Sequence, residues 1–109
     1  MLFDGLIQWM LSMFAIRFTP EAIEDLRWYT KEDRKRIIGE IDACLTYQPS
    51  RETRNNKRLR PNRLAEWELR VERFRVFYDI DEVEAMVRIE AIGHKRGNRL
   101  YLRSEEFQL

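Results

Sequence analysis

The chain has 109 residues, 44% of them apolar and 36% charged, with a formal net charge of +1. That length supports one domain around a single core, and this mix of apolar and charged residues excludes a disordered chain. A lone cysteine (Cys44) and a lone histidine (His94) exclude an intrachain disulfide and any zinc site of the Cys/His type. A reducing cytoplasm is the expected compartment, and no cofactor or metal is expected.

The opening run MLFDGLIQWMLSMF places Leu2, Phe3, Leu6, Ile7, Trp9, Met10, Met13 and Phe14 on a helical repeat. It is too short to span a bilayer, and it lacks the basic start and cleavage site of a signal peptide. Three readings stand: a helix docked on the domain, a helix for self-association or a partner, or an extension from an upstream start codon. The last two are favoured. The expected boundaries are an extension over residues 1–13 and one domain over 14–109.

Ala15 to Phe18 reads as a short strand. Thr19-Pro20-Glu21 then opens a helix with a hydroxyl N-cap, a proline in the first turn and an early acid. Its apolar stripe is Ala22, Ile23, Leu26 and Tyr29. Thr30 followed by Asp33 opens a longer helix, with Ile37, Ile38, Ile41, Cys44, Leu45 and Gln48 on one face and Pro49 at its end. Cys44 is expected as a small core residue.

Residues 50–63 (SRETRNNKRLRPNR) form a polar, basic loop with a brief strand. The period then changes to two. Trp67, Leu69 and Val71, then Phe74, Val76, Tyr78 and Ile80, then Val83, Ala85, Val87, Ile89 and Ala91 alternate with polar residues. Turns near Glu72-Arg73 and Asp81-Glu82 make this a three-stranded antiparallel meander, ending at Ile92-Gly93. The expected architecture is α+β, with the helical hairpin packed on one face of a small antiparallel sheet. The other face, carrying Glu66, Glu68, Arg70, Arg75, Phe77, Arg88 and Glu90, is expected to be polar and concave.

Charge falls in blocks. Residues 51–75 hold nine cations against four acids, and residues 94–103 hold four cations and no acid. Between them, residues 76–93 hold one cation against five acids. A solvated surface explains these blocks as well as a polyanion site does, unless the fold brings the basic blocks together.

The ordered set RFTPEAIEDL, KRLRPN, AEWELRVERFRVFYDIDE and IGHKRGNRLYLR closely resembles the RelE/ParE-type toxins of bacterial type II toxin–antitoxin systems, over roughly Phe14 to Phe107. The RelE branch is favoured. The resemblance implies a microbial-RNase-like fold and a cognate antitoxin that silences the toxin. It also implies either metal-independent cleavage of mRNA on the ribosome or, in the ParE branch, inhibition of DNA gyrase. Cleavage proceeds by attack of a ribose 2′-OH on the adjacent phosphate, which needs a base, cations for the developing charge and a proton donor. No membrane association is expected.

The resemblance carries the transition-state arginine onto Arg75 and the basic position after the strand-ending glycine onto Lys95, with Arg96 beside it. The C-terminal tyrosine falls on Tyr101. Two lysines of the RelE prototype are replaced by Glu66 and Glu68; some relatives use a glutamate on this strand as general base, which gives Glu68 that role. His94 is a further acid–base candidate. Arg58, Arg60, Arg70, Arg96, Arg99 and Arg103 are the expected RNA contacts. A catalytically weak remnant that still binds an antitoxin is the remaining alternative.

Overall fold

The computed structural model describes residues 13–109, so the expectations for the apolar stretch up to residue 12 lie outside the described residues. Both helix starts follow from their threonines. Thr19 Oγ1 accepts the Ala22 N–H at 3.1 Å to open α1 (Pro20–Arg27), and Thr30 Oγ1 accepts the Asp33 N–H at 3.2 Å to open α2 (Lys31–Leu45). Such caps are each worth about 1 kcal/mol.

The strands are β1 (Ala15–Phe18), β2 (Asn56–Arg58), β3 (Trp67–Val71), β4 (Phe74–Asp81), β5 (Met86–Arg96), β6 (Arg99–Leu102) and β7 (Glu105–Phe107). They form one sheet in the order β2-β3-β4-β5-β6-β7, antiparallel along this path. β1 lies parallel beside the first half of β5, while β6 pairs with its last three residues. The edge of β5 is therefore shared, and the stretch between β1 and β6 is completed by α1. Thr19 Oγ1 donates to the Glu90 carbonyl at 3.2 Å, and Asp25 Oδ2 accepts the Ile92 N–H at 3.0 Å.

Both helices cover one face. Ala22, Ile37, Ile41 and Leu45 pack on Trp67, Leu69, Val71, Phe74, Val76, Tyr78, Val87, Ile89 and Ile92. Burying each large apolar side chain stabilises the fold by about 1.5–3 kcal/mol. The meander, its two turns and the burial of Trp67, Leu69 and Val71 agree with the sequence. Among the described residues no helix is long and apolar enough to cross a membrane.

Four expectations need correction. Cys44, Gln48 and Ile38 are exposed because the buried stripe of α2 is the narrower Ile37–Ile41–Leu45 set, and Ile23 is exposed on α1, which buries Ala22 and Asp25 instead. Val83 and Ala85 belong to the β4–β5 turn, and β5 runs on to Arg96 instead of ending at Ile92-Gly93. Its alternation also breaks. Phe77 pairs with Ala91 but Tyr78 pairs with Ile89, so Glu90 is an extra residue in a bulge. That shift gives Ile92 to the helix face and Ala91 to the far face. The far face is consequently not polar throughout: Ala65, Phe77, Ala91 and Leu100 form a second cluster on it, joined by Leu59, Leu64, Leu102 and Phe107.

Candidate functional site

Side chains directly opposite in an antiparallel ladder share a face, so the register assigns each candidate. On the far face one row reads Lys57–Glu68–Phe77–Ala91 and the next reads Arg70–Arg75–Gly93. Lys95, two residues beyond Gly93, faces the same way and lies opposite Leu100. Glu68, Arg70, Arg75 and Lys95 are thus brought to one surface. Gly93 permits this closeness between β5 and β6: a Cβ there would lie 2.5 Å from the Tyr101 carbonyl oxygen and 2.8 Å from Leu102 Cδ2.

The loop after β2 closes one side of this surface. Asn62 staples it, donating to the carbonyls of Arg60 and Ala65 while its Oδ1 accepts the N–H groups of Leu64 and Ala65. The loop then covers Phe77 and reaches β7, where the Arg63 guanidinium stands 5.0 Å over the Phe107 ring. Residues 58–66 and Asp79 line a hollow of mixed polar and apolar character at this border.

Glu68 is buried, with only 6% of its surface exposed. Its Oε1 accepts from Arg70 Nε at 3.3 Å, and among the described residues Oε2 has no hydrogen bond. A carboxylate with one oxygen free beside cations is suited to take a proton from a hydroxyl. Arg75 is half-buried, and Nη1 donates to the carbonyls of Glu72 at 2.7 Å and Phe74 at 2.9 Å. Its Nε is buried, and among the described residues it has no hydrogen-bond partner. Burial lowers its pKa, with Glu68 opposing and Arg70 reinforcing the shift, although an arginine stays charged. Arg75 is consequently both a clamp on the β3–β4 turn and a cation beside Glu68. Lys95 Nζ reaches the Asn98 carbonyl at 3.4 Å.

His94 and Tyr101 lie elsewhere. Phe74, His94 and Tyr101 form one row, and Phe74 belongs to the helix face. His94 stacks on Tyr101 at 5.7 Å between ring centroids, and its Nδ1 lies 2.7 Å from the Tyr29 hydroxyl. Burial, with Asp25 reinforcing it, pushes the Tyr29 pKa well above its ordinary value, so the phenol keeps its proton and donates. Burial lowers the His94 pKa, and Arg73 and Arg96 add to the effect. A neutral imidazole accepting at Nδ1 carries its hydrogen on Nε2. The Arg96 guanidinium stands 5.6 Å over Tyr101, which extends this aromatic stack.

Several expected RNA contacts are already engaged. Arg58 pairs with Glu66 at 3.3 Å and Arg99 with Glu106 at 3.6 Å. Arg103 contacts Glu24 at 3.1 Å and Asp25 at 3.5 Å, tying the β6–β7 turn to α1. Arg60 is exposed on the stapled loop. The basic blocks therefore divide: Arg70, Arg75 and Lys95 face one way, while Arg96 and Arg99 face the other. Sequence reasoning missed Lys57, because only the register shows it beside Glu68.

Residues 16–99 match the family model described as the ParE toxin of type II toxin–antitoxin systems, parDE. Among curated proteins none matches the sequence. The fold is similar to a chain of the RelBE2 toxin–antitoxin complex of Mycobacterium tuberculosis, with a TM-score of 0.67 and 24% identity over 76% of this chain and 92% of that one. It is also similar to a chain of the archaeal RelE–RelB complex of Pyrococcus horikoshii, with a TM-score of 0.62 and 19% identity over 79% and 98% of the two chains. At these identities the likeness establishes the fold.

Proposed function

Since the chain belongs to the ParE toxin family of type II toxin–antitoxin systems, we propose that it is a toxin that cleaves mRNA on the ribosome and is silenced by a cognate antitoxin. The observation that carries the nuclease reading is the far face, where one buried carboxylate stands among cations. Glu68 Oε2 takes the 2′-OH proton of the substrate. Arg70 and Arg75 hold the charge that builds on the phosphate, and Lys95 donates toward the leaving 5′ oxygen. This is acid–base and electrostatic chemistry carried by side chains. Ribosomes place such a toxin in the cytoplasm.

A second reading has its own support. The matching family model is that of ParE, and Tyr101 and His94 lie on the face opposite Arg75 and Lys95. A gyrase inhibitor needs these surfaces only for contact. The deciding experiment adds the purified chain to a translation reaction on a defined mRNA, with cleavage mapped by primer extension, and to a gyrase supercoiling assay. Cleavage lost in Glu68→Gln supports the nuclease. Intact mRNA with blocked supercoiling overturns it. For the antitoxin, co-purification with the product of the adjacent gene at nanomolar-class affinity, roughly −12 kcal/mol, is expected.

A further inference from the structure

The cations of the far face differ in how free they are. Arg70 is paired with Glu68, the Arg75 guanidinium is held by backbone carbonyls, and the Lys95 ammonium leans on the Asn98 carbonyl. Lys57 is exposed, and among the described residues it takes part in no ion pair. It nonetheless sits directly opposite the buried Glu68 in the ladder. Among the described residues, a phosphate drawn to Lys57 has no ion pair to displace.

Its neighbour explains why it is held there. β2 is a three-residue edge strand, too short to fix its own register. Asn56 is 3% exposed and points to the helix face, opposite Leu69. Its Oδ1 lies 2.6 Å from the Tyr78 hydroxyl, and its Nδ2 donates to the carbonyls of Pro49 at 3.2 Å and Arg51 at 3.0 Å. The Tyr78 hydroxyl also lies 2.7 Å from the Pro49 carbonyl, so one phenol proton stands between two acceptors. This buried network pins Asn56 inward. Because successive strand residues alternate, Lys57 must then face the site. A slip by one residue would bury Lys57 and expose Asn56, which the network opposes.

We propose that Lys57 is a phosphate-contacting residue of the RNA site and that the Asn56–Tyr78 bond is what positions it. The assignment rests on reading the far face as the RNA surface. It also offers a way for a sheet with Glu66 and Glu68 on β3 and its approach to keep a lysine beside its carboxylate: the cation comes from the adjacent strand.

The test measures binding of the full chain to a single-stranded 2′-O-methyl RNA, which cannot be cleaved, across a salt series by fluorescence anisotropy. Lys57→Gln is expected to weaken binding several-fold at low salt and to reduce the slope of log affinity against log salt by about 0.7. Lys57→Arg should keep both, and Lys35→Gln, exposed on α2, should change neither. Tyr78→Phe keeps the ring and removes the hydroxyl, so it should reproduce the slope loss, with no added loss in the double variant. Wild-type affinity and slope in Lys57→Gln overturn the assignment, as does an equal loss in Lys35→Gln or an absence of RNA binding by the wild type. Additive losses overturn the positioning role. Cleavage read in parallel separates the two ideas. A wild type that binds RNA through Lys57 without cutting mRNA removes the nuclease and leaves Lys57. A cutting enzyme indifferent to Lys57 does the reverse.

Discussion

Asp25 Oδ2 accepts the backbone N–H of Ile92 at 3.0 Å, joining α1 to β5 across 67 residues of chain. The bond falls where neither β1 nor β6 reaches β5, so a side chain supplies what a strand would otherwise supply. Asp25→Ala should leave this buried N–H unsatisfied and cost about 1–3 kcal/mol, measured by urea unfolding.

The same carboxyl sets a pH trend. Burial raises the Asp25 pKa above 3.8, against the opposing Ile92 hydrogen bond and Arg103. The folded state thus binds this proton more tightly than the unfolded one. Its contribution is fully present below the unfolded pKa and is lost as pH rises through the raised value. Asp25→Asn keeps an acceptor but does not titrate. Relative to it, the wild type should lose stability as pH climbs from about 3 toward 6. A difference that is flat with pH would show that Asp25 has an ordinary pKa.

The helices and meander were legible because caps and alternation are local. Thr19, Pro20 and Thr30 announce their helices, and Trp67 to Val71 and Phe74 to Ile80 each alternate on either side of the Glu72-Arg73 turn. The bulge at Glu90 was hidden, since Val87, Ile89 and Ala91 continue the period of two straight through it. Nothing local reveals that Ala91 changes face. The resemblance brought Arg75, Lys95 and Tyr101 into one candidate site, with His94 beside them, but the register parts them. His94 and Lys95 are adjacent in sequence and therefore opposite in space. Lys57 illustrates the converse, because its place depends on an asparagine and a tyrosine 22 residues apart.

Glu72 carries a positive φ of 55° in the β3–β4 turn, where glycine is at ease. Its side chain pairs with Arg36 at 2.9 Å, but both partners are over half exposed, so little is lost with that pair. Glu72→Gly should raise the melting temperature, in line with roughly 1 kcal/mol of relieved backbone strain. Arg75→Ala should act in the other direction. It removes two hydrogen bonds from the same turn, at a cost of about 1–3 kcal/mol in chemical denaturation.

His94 gives a second pH dependence of opposite sign. Burial and the nearby Arg73 and Arg96 lower its pKa below 6.5, so the unfolded chain binds this proton more readily. The stability it contributes is present above 6.5 and is lost as pH falls through the lowered folded value. Melting curves should show the wild type losing stability relative to His94→Gln on acidification from about pH 7 to pH 5. Tyr29→Phe removes the hydroxyl that donates to Nδ1 but keeps the edge contact with Phe74 at 5.0 Å, so the fold should persist with a changed His94 titration by NMR.

The split between faces gives the sharpest test of where chemistry occurs. Glu68→Gln keeps shape and volume and removes the only buried carboxylate described on the far face. If Glu68 is the base, cleavage of ribosome-bound mRNA should fall by about 10²–10⁴-fold. Arg75→Ala, after its stability loss is checked, should cost on the order of a hundredfold through the lost charge clamp. Tyr101→Phe lies on the other face, stacked on His94, and should cleave at close to the wild-type rate. Antitoxin binding in all three serves as the control for folding. The opposite pattern, with Tyr101→Phe inactive and Glu68→Gln active, would move the reacting phosphate to the helix side of the sheet, beside the Tyr29–His94–Tyr101 stack. The charges of the far face would then serve attachment alone.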